Sequence, residues 1–250
     1  MSGLKRLLKA DIIKLKSTKL IWMHVYIPIV GLIIFLSYFS YSEWESYSKV
    51  TSYFQVLCMT FPILIGIITS LVSEQEYVAG GFQNMRTYPG SKVLPLVSKY
   101  ILFLLLGLLS TLLSVIGFYI GFYFIDPNSF PFTIYLASAF ILIGSNMFGY
   151  IVHFFLSLRF SASISVGIGI VESLISALFL TSMGDGRWPF YPSAWGLRFI
   201  GSLQGRYLNP DRHVDSVLYQ GIIISIIGTV IAFIIVIIWF SKWEGNRLEE

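Results

Sequence analysis

The chain has 250 residues, of which 56% are hydrophobic and only 12% charged, with 17 Lys and Arg against 13 Asp and Glu for a net charge of +4. Soluble domains carry about 25% charged residues, so ordinary globular classes are excluded. The positive excess does not point to nucleic acid, because the basic residues gather at the ends of apolar stretches, where membrane orientation accounts for them.

In chain order, residues 4–16 read as a basic amphipathic helix. Leu4, Leu7, Leu8, Ile12 and Leu15 share one face, and Lys5, Arg6, Lys9 and Lys16 share the other. Such a helix lies in the anionic inner leaflet, or serves simply as the positive flank that orients the next segment. Six apolar stretches follow, over residues 20–41, 53–72, 100–125, 131–158, 161–183 and 217–240. Each holds about the 20 residues a helix needs to cross a hydrocarbon core of roughly 30 Å. In lipid every backbone amide must be paired internally, so helices are the expected form. The first stretch starts late and is too long for a signal-peptide core, and reads as an uncleaved helix.

The expected fold is therefore a single all-α integral membrane domain over residues 1–250. It comprises an interfacial helix in 1–19, six transmembrane helices in 20–240 and a cytoplasmic tail in 241–250. Lys5, Arg6, Lys9, Lys14, Lys16 and Lys19 precede the first span, and Arg86, Lys92 and Lys99 lie between the second and third. Arg159 separates spans four and five, and Lys242 and Arg247 follow the sixth. The positive-inside rule then places both termini in the cytoplasm. Residues 184–216 run against it with Arg187, Arg198, Arg206 and Arg212, partly offset by Asp185, Asp211 and Asp215.

Within the spans, Pro28 and Pro62 predict kinks. Gly107, Ser110, Ser114, Gly117 and Gly121 form a small-residue stripe, fit for close contact with a helix of the same chain or of a second one. Glu172 is the one acid deep in a span, on a face with Ser161, Ser165, Gly169 and Ser176. A charge there usually faces the bundle interior or a wet cavity. It reads either as a polar lining or latch, or as a protonated carboxyl bonded to a serine or carbonyl. His153 sits on another weakly polar face with Ser145 and Gly149, and His24 reads as structural. Cys58 is the only cysteine and reads as an apolar core residue. No metal-ligand spacing, phosphate-binding glycine loop or nucleophile elbow occurs, so no metal site and no ATPase site is expected in this chain.

The segment between the second and third spans carries Glu74 and Glu76, a glycine break at Gly80 and Gly81, then Phe82, Met85, Arg86 and Pro89. This suits a short helix on the membrane surface. Its spacing resembles that of the permease subunits of type-2 ABC exporters, which have two acids one residue apart, a glycine, an apolar step and a proline before a serine and a basic residue, here Ser91 and Lys92. Gly81, Gln83 and Met85-Arg86 depart from that pattern. The resemblance implies a coupling helix that fits a groove of a separate ATPase, with Glu74, Glu76, Gly80, Phe82, Arg86 and Pro89 as coupling residues. It also implies an ABC ATPase dimer holding ATP and Mg, and a second permease copy or paralogue.

Two stretches are similar to lantibiotic self-protection permeases: residues 8–28 with Trp22, His24 and Pro28, and the Trp/Pro-rich residues 188–195. The implied function is ATP-driven expulsion of amphipathic antimicrobial peptides from the plasma membrane of a Gram-positive cell. Export of the cell's own peptide toxins, bacitracin-type resistance, or a non-transport assembly or sensor role are the alternatives. Trp and Tyr anchor at headgroup depth and prolines prevent a regular helix, so Trp188, Tyr191 and Trp195, with Glu172, are the candidate path or gate residues.

Overall fold

The computed structural model describes residues 3–16, 18–211 and 216–245. Arg212, Asp215 and Arg247, which entered the charge reading, lie outside the described residues, as does the side chain of Lys16. The described residues form nine α-helices: α1 Gly3–Lys16, α2 Leu20–Tyr41, α3 Ser46–Val78, α4 Gln83–Arg86, α5 Leu94–Tyr123, α6 Phe132–Arg159, α7 Ala162–Leu178, α8 Pro192–Leu208 and α9 Ser216–Lys242. Two 3₁₀ turns, Ser182–Gly184 and Trp188–Phe190, join α7 to α8.

Five helices are long and apolar enough to cross a membrane: α2, α3, α5, α6 and α9. The expected span over residues 161–183 is helical only to Leu178, a length of roughly 26 Å at 1.5 Å per residue. It stops where Thr181 and Ser182 offer local hydrogen bonds and Gly184 follows. Arg198 of α8 covers its end, donating through Nε to the Phe179 carbonyl at 2.8 Å and through Nη2 to that of Thr181 at 3.0 Å. The chain then turns and resumes as α8, where prolines were expected to forbid a regular helix. Pro192 instead occupies the first helical turn, where its missing N–H costs nothing and its φ is already helical.

α3 is the centre of the bundle, packed by α6, α7 and α8. Its approach to α7 is set by two glycines. A methyl at Gly66 would lie 2.9 Å from the Ser165 carbonyl oxygen, and one at Gly169 would lie 2.7 Å from that of Pro62. Only Gly allows backbones so close, the usual device of lipid-embedded helices. The stripe on α5 also meets its own chain. A methyl at Gly117 would lie 2.6 Å from Leu32 of α2, Ser110 donates to the His24 carbonyl, and Ser114 bonds Tyr53.

Both described ends of the chain gather at one end of the bundle, where Trp243 packs tilted against Phe82 with ring centroids 5.0 Å apart; we call this the terminal end. Its core holds Phe103, Tyr150, Phe154 and Phe240. The distal half has its own core of Phe39, Tyr53, Phe118, Phe122 and Tyr135, with Tyr53 stacked on Phe118 at 3.7 Å. Lys49 is buried there, closing the end of α2 by donating to the Phe39 carbonyl at 3.1 Å. In the distal loop, the Ser46 hydroxyl and the Asn128 amide hold the Asp126 carboxyl below its ordinary range. α2 and α9 are peripheral and leave long rows of Ile and Val exposed, as helices facing lipid do.

Candidate functional site

At the terminal end α3 runs on to Val78, so Glu74 and Glu76 stand in its last turns and not at the start of a surface helix. Glu76 is 2% exposed and joins a closed ionic cluster. Lys99 of α5 lies 2.7 Å from Glu76 Oε1 and 2.7 Å from Asp11 Oδ1 of α1. Lys14 of α1 lies 2.8 Å from Glu76 Oε1, and Ser98 donates to Asp11 Oδ2 at 2.6 Å. Two acids here face two bases. Removing ions from water is expensive and is offset only when geometry and hydrogen bonding are good, as here. The cluster fastens α1 to both arms of the α3–α5 hairpin.

The turn after α3 is tight. Gly80, Gly81 and Phe82 have φ of 129°, 59° and 64° in succession. Phe82 holds the left-handed region, unfavourable for a side chain with a Cβ, because its ring is buried between Tyr77 and Trp243. The expected coupling residues therefore divide. Glu76 and Phe82 face inward, although the sequence reading set them among the coupling residues. Gly80 and Pro89 are exposed, Glu74 and Arg86 partly so. The exposed apolar surface here is Tyr77 and Val78, the latter 77% exposed. Sequence reasoning missed it by ending the span at Val72. Together these residues make a ridge whose base is clamped to α1, α5 and the end of α9.

Deeper in the bundle, the structure joins two faces that were read separately. His153 Nε2 lies 2.9 Å from Glu172 Oε2, and His153 Nδ1 lies 3.0 Å from Ser165 Oγ. Ser165 Oγ also lies 3.3 Å from the His153 carbonyl, so both ring nitrogens and the carboxyl have hydrogen-bond partners in either tautomer. The histidine and Ser165 are fully buried, while Glu172 is partly open. A hydroxyl chain continues toward the terminal end: Ser157 donates to the His153 carbonyl at 2.7 Å, and Ser73 donates to that of Ser157 at 2.8 Å. On its other side Glu172 borders a void of about 10 Å³ with Asn146, Pro192 and Ser193, at the break between α7 and α8.

This geometry sets an expectation. Glu172→Gln keeps a hydrogen bond to His153 Nε2 and should leave thermal stability within about 0.5 kcal/mol. Glu172→Leu strands a buried ring nitrogen and should cost about 1–3 kcal/mol. Melting of the purified protein measures both, and equal melting of the two variants would remove the hydrogen bond from the account.

The aromatic segment is arranged otherwise than expected. Trp188 is 5% and Trp195 2% exposed, so neither forms outer surface. Trp188 packs edge-on to Phe199 at 5.4 Å and against Gly221 of α9. The Trp195 indole donates to the Pro189 carbonyl at 2.8 Å and meets Phe148 of α6 at 5.6 Å. Tyr191, edge-on to Phe179 at 4.4 Å, and Phe190 do reach the surface. What opens beside them is a groove of about 790 Å³ between α6, α8 and α9. Ile134, Ile141, Phe199, Leu203 and Ile222 line it, with Arg206 and Tyr207 toward the distal end. α8 builds it, and the start signal at Pro192 with the recurrence of Trp195, Phe199 and Leu203 could have revealed that helix. Among the described residues no group of three potential metal ligands comes together.

A model of the ABC-2 family transporter proteins matches residues 7–179, more than two thirds of the 250 and all of α2 to α7. Neither a curated protein nor a solved structure gives a match. Membrane subunits of this family typically have no ATPase site of their own and partner an ABC ATPase subunit. With five membrane-length helices, a buried ionic clamp at the end where both described ends of the chain lie and an exposed ridge beside it, this multi-pass membrane chain belongs to the ABC-2 transporter family.

Proposed function

We propose that the chain is a six-span, N-in/C-in permease subunit of an ATP-driven exporter in the plasma membrane of a Gram-positive cell, and that its cargo is an amphipathic antimicrobial peptide. α7 and α8 together make the sixth crossing. The ridge from Tyr77 to Pro89 receives an ATPase dimer that supplies ATP and Mg, and a second permease copy or paralogue completes the pump. The observation that supports the cargo is the groove between α6, α8 and α9, which is mostly apolar, with Arg206 among its lining residues, and open at its side. A peptide lying in the outer interface presents an apolar face to such a groove, whereas a soluble cargo would need a polar-lined passage.

Expression with its partner subunits should raise resistance to a lantibiotic-like peptide. Leu203→Arg, which puts a second cation in the groove beside Arg206, should remove most of that resistance while expression is unchanged. If no membrane-active peptide is tolerated better, and cells lacking the complex accumulate a peptide of their own, export of endogenous toxin takes its place. Orientation is tested in the Cys58→Ser background with cysteines at Ser91 and Asn128; an impermeant thiol reagent should label only the second in intact cells.

A further inference from the structure

A second cavity, of about 150 Å³, lies between α2, α3 and α5, away from the groove. Its walls are mostly apolar, from Ile27, Phe35, Leu57 and Leu64 among others. An apolar cavity of this volume stays dry and takes up a benzene-sized molecule. This one differs in carrying two polar atoms without partners, His24 Nε2 and Thr111 Oγ1, on residues only 7% and 3% exposed. His24 is held rigidly. Its Nδ1 lies 2.8 Å from the Leu20 carbonyl, which can only accept, so Nδ1 bears the hydrogen and the neutral ring presents Nε2 as an acceptor. Its own carbonyl accepts from Ser110, fixing it against α5 at the level of Thr111. The neighbouring Ser114 hydroxyl is already bonded to Tyr53. A buried acceptor and a buried hydroxyl thus belong to two residues that line the same apolar space, and leaving them unpaired costs on the order of 1–3 kcal/mol each.

We infer that this cavity is a binding site for a neutral amphiphile with a single hydroxyl, drawn from the bilayer. The ligand hydroxyl donates to His24 Nε2 and accepts from Thr111, which pairs both atoms with one group. Its hydrocarbon fills the cavity and leaves toward lipid past Ile27 and Val56, two lining residues more than a third exposed. A charged headgroup does not fit, because no charged side chain lines the space. The site lies on the other side of α3 from α7 and the His153–Glu172 pair, and it does not depend on the identity of the cargo.

The test uses the full chain in lipid nanodiscs with two photoreactive probes, an octanol bearing a diazirine and the matching diazirine octane. The octanol should label Ile27, Leu57 and Leu64 about tenfold more than the octane, the ratio that one buried hydrogen bond sustains. Unlabelled octanol should compete. Thr111→Val keeps the volume and removes the hydroxyl, and should cut the preference several-fold; His24→Leu should abolish it. A monodisperse elution profile for Thr111→Val keeps the test valid if His24→Leu does not fold. Equal labelling by the two probes, or a preference that survives Thr111→Val, would overturn the site and leave a lipid-filled or water-filled gap.

Discussion

Replacing Lys99 by methionine should destabilise the protein by about 3–5 kcal/mol and release α1 from the bundle. Lys99 is the cation shared by Asp11 and Glu76, and all three are almost fully buried. Without it, Asp11 keeps only the Ser98 hydroxyl, and Glu76 keeps only Lys14, whose side chain is 39% exposed. The large effect comes from stranding two carboxylates and not from the net strength of the pairs, which desolvation reduces. Lys14→Met should therefore cost no more than about 1 kcal/mol, since solvent screens that arm. The triple change Lys99→Met, Asp11→Asn and Glu76→Gln removes every stranded charge and should recover most of the loss. Thermal melting in detergent measures stability, and limited proteolysis at residues 1–19 reports the release of α1. Wild-type melting of Lys99→Met would mean that the cluster is wetter than its burial indicates. The same clamp gives any ATPase docked on the ridge a rigid route to α1 and α5, so the variant that melts early should also uncouple ATP hydrolysis from transport.

Much of the fold is legible in the sequence because a membrane-spanning helix writes itself as composition. The boundaries of α2 are those of its apolar run, and α5, α6 and α9 differ from theirs by a few residues or one polar turn. The failures have a common physical cause. α3 outruns its apolar stretch because Glu76 is neutralised by Lys99 from 23 positions away, a partner invisible to local pattern. α7 falls short of its stretch where Arg198, on an element not foreseen, takes the Phe179 and Thr181 carbonyls just past its end. Of the site, Glu172 was found as an anomaly of polarity, and the periodicity of Ser165, Gly169 and Ser176 gave its face correctly. Its partner was not found, because His153 lies on a different helix and only the packing of α6 on α7 unites them. The tryptophans misled for the opposite reason. Aromatic residues beside prolines suit an interfacial belt, and nothing local in the sequence distinguishes that from a buried cluster at the head of a helix.

The burial of those rings reverses what their loss should do. Trp195→Ala should lower stability by about 3–5 kcal/mol, the range for emptying a large aromatic from a packed site. Trp195 holds four elements at once: its own α8, the 3₁₀ turn through the Pro189 carbonyl, α6 through Phe148, and α9, where it faces Gly228 at 3.7 Å from a methyl placed there. Because lipid offers little hydrophobic drive, most of this cost is lost dispersion contact and the cavity left behind. Trp195→Phe keeps the ring, loses the N–H bond to Pro189, and should cost about 1 kcal/mol. Tyr191→Ala, on the exposed side of the same segment, should stay within about 0.5 kcal/mol. Unfolding of the three purified variants separates the cases. Should Trp195→Ala melt as the parent does while transport alone is lost, the indole would be a contact for cargo, and the aromatic segment an outer surface after all. A stability loss ordered Ala, then Phe, then the Tyr191 variant identifies it as the pin that holds α8 upright, and with α8 one wall of the groove between α6, α8 and α9.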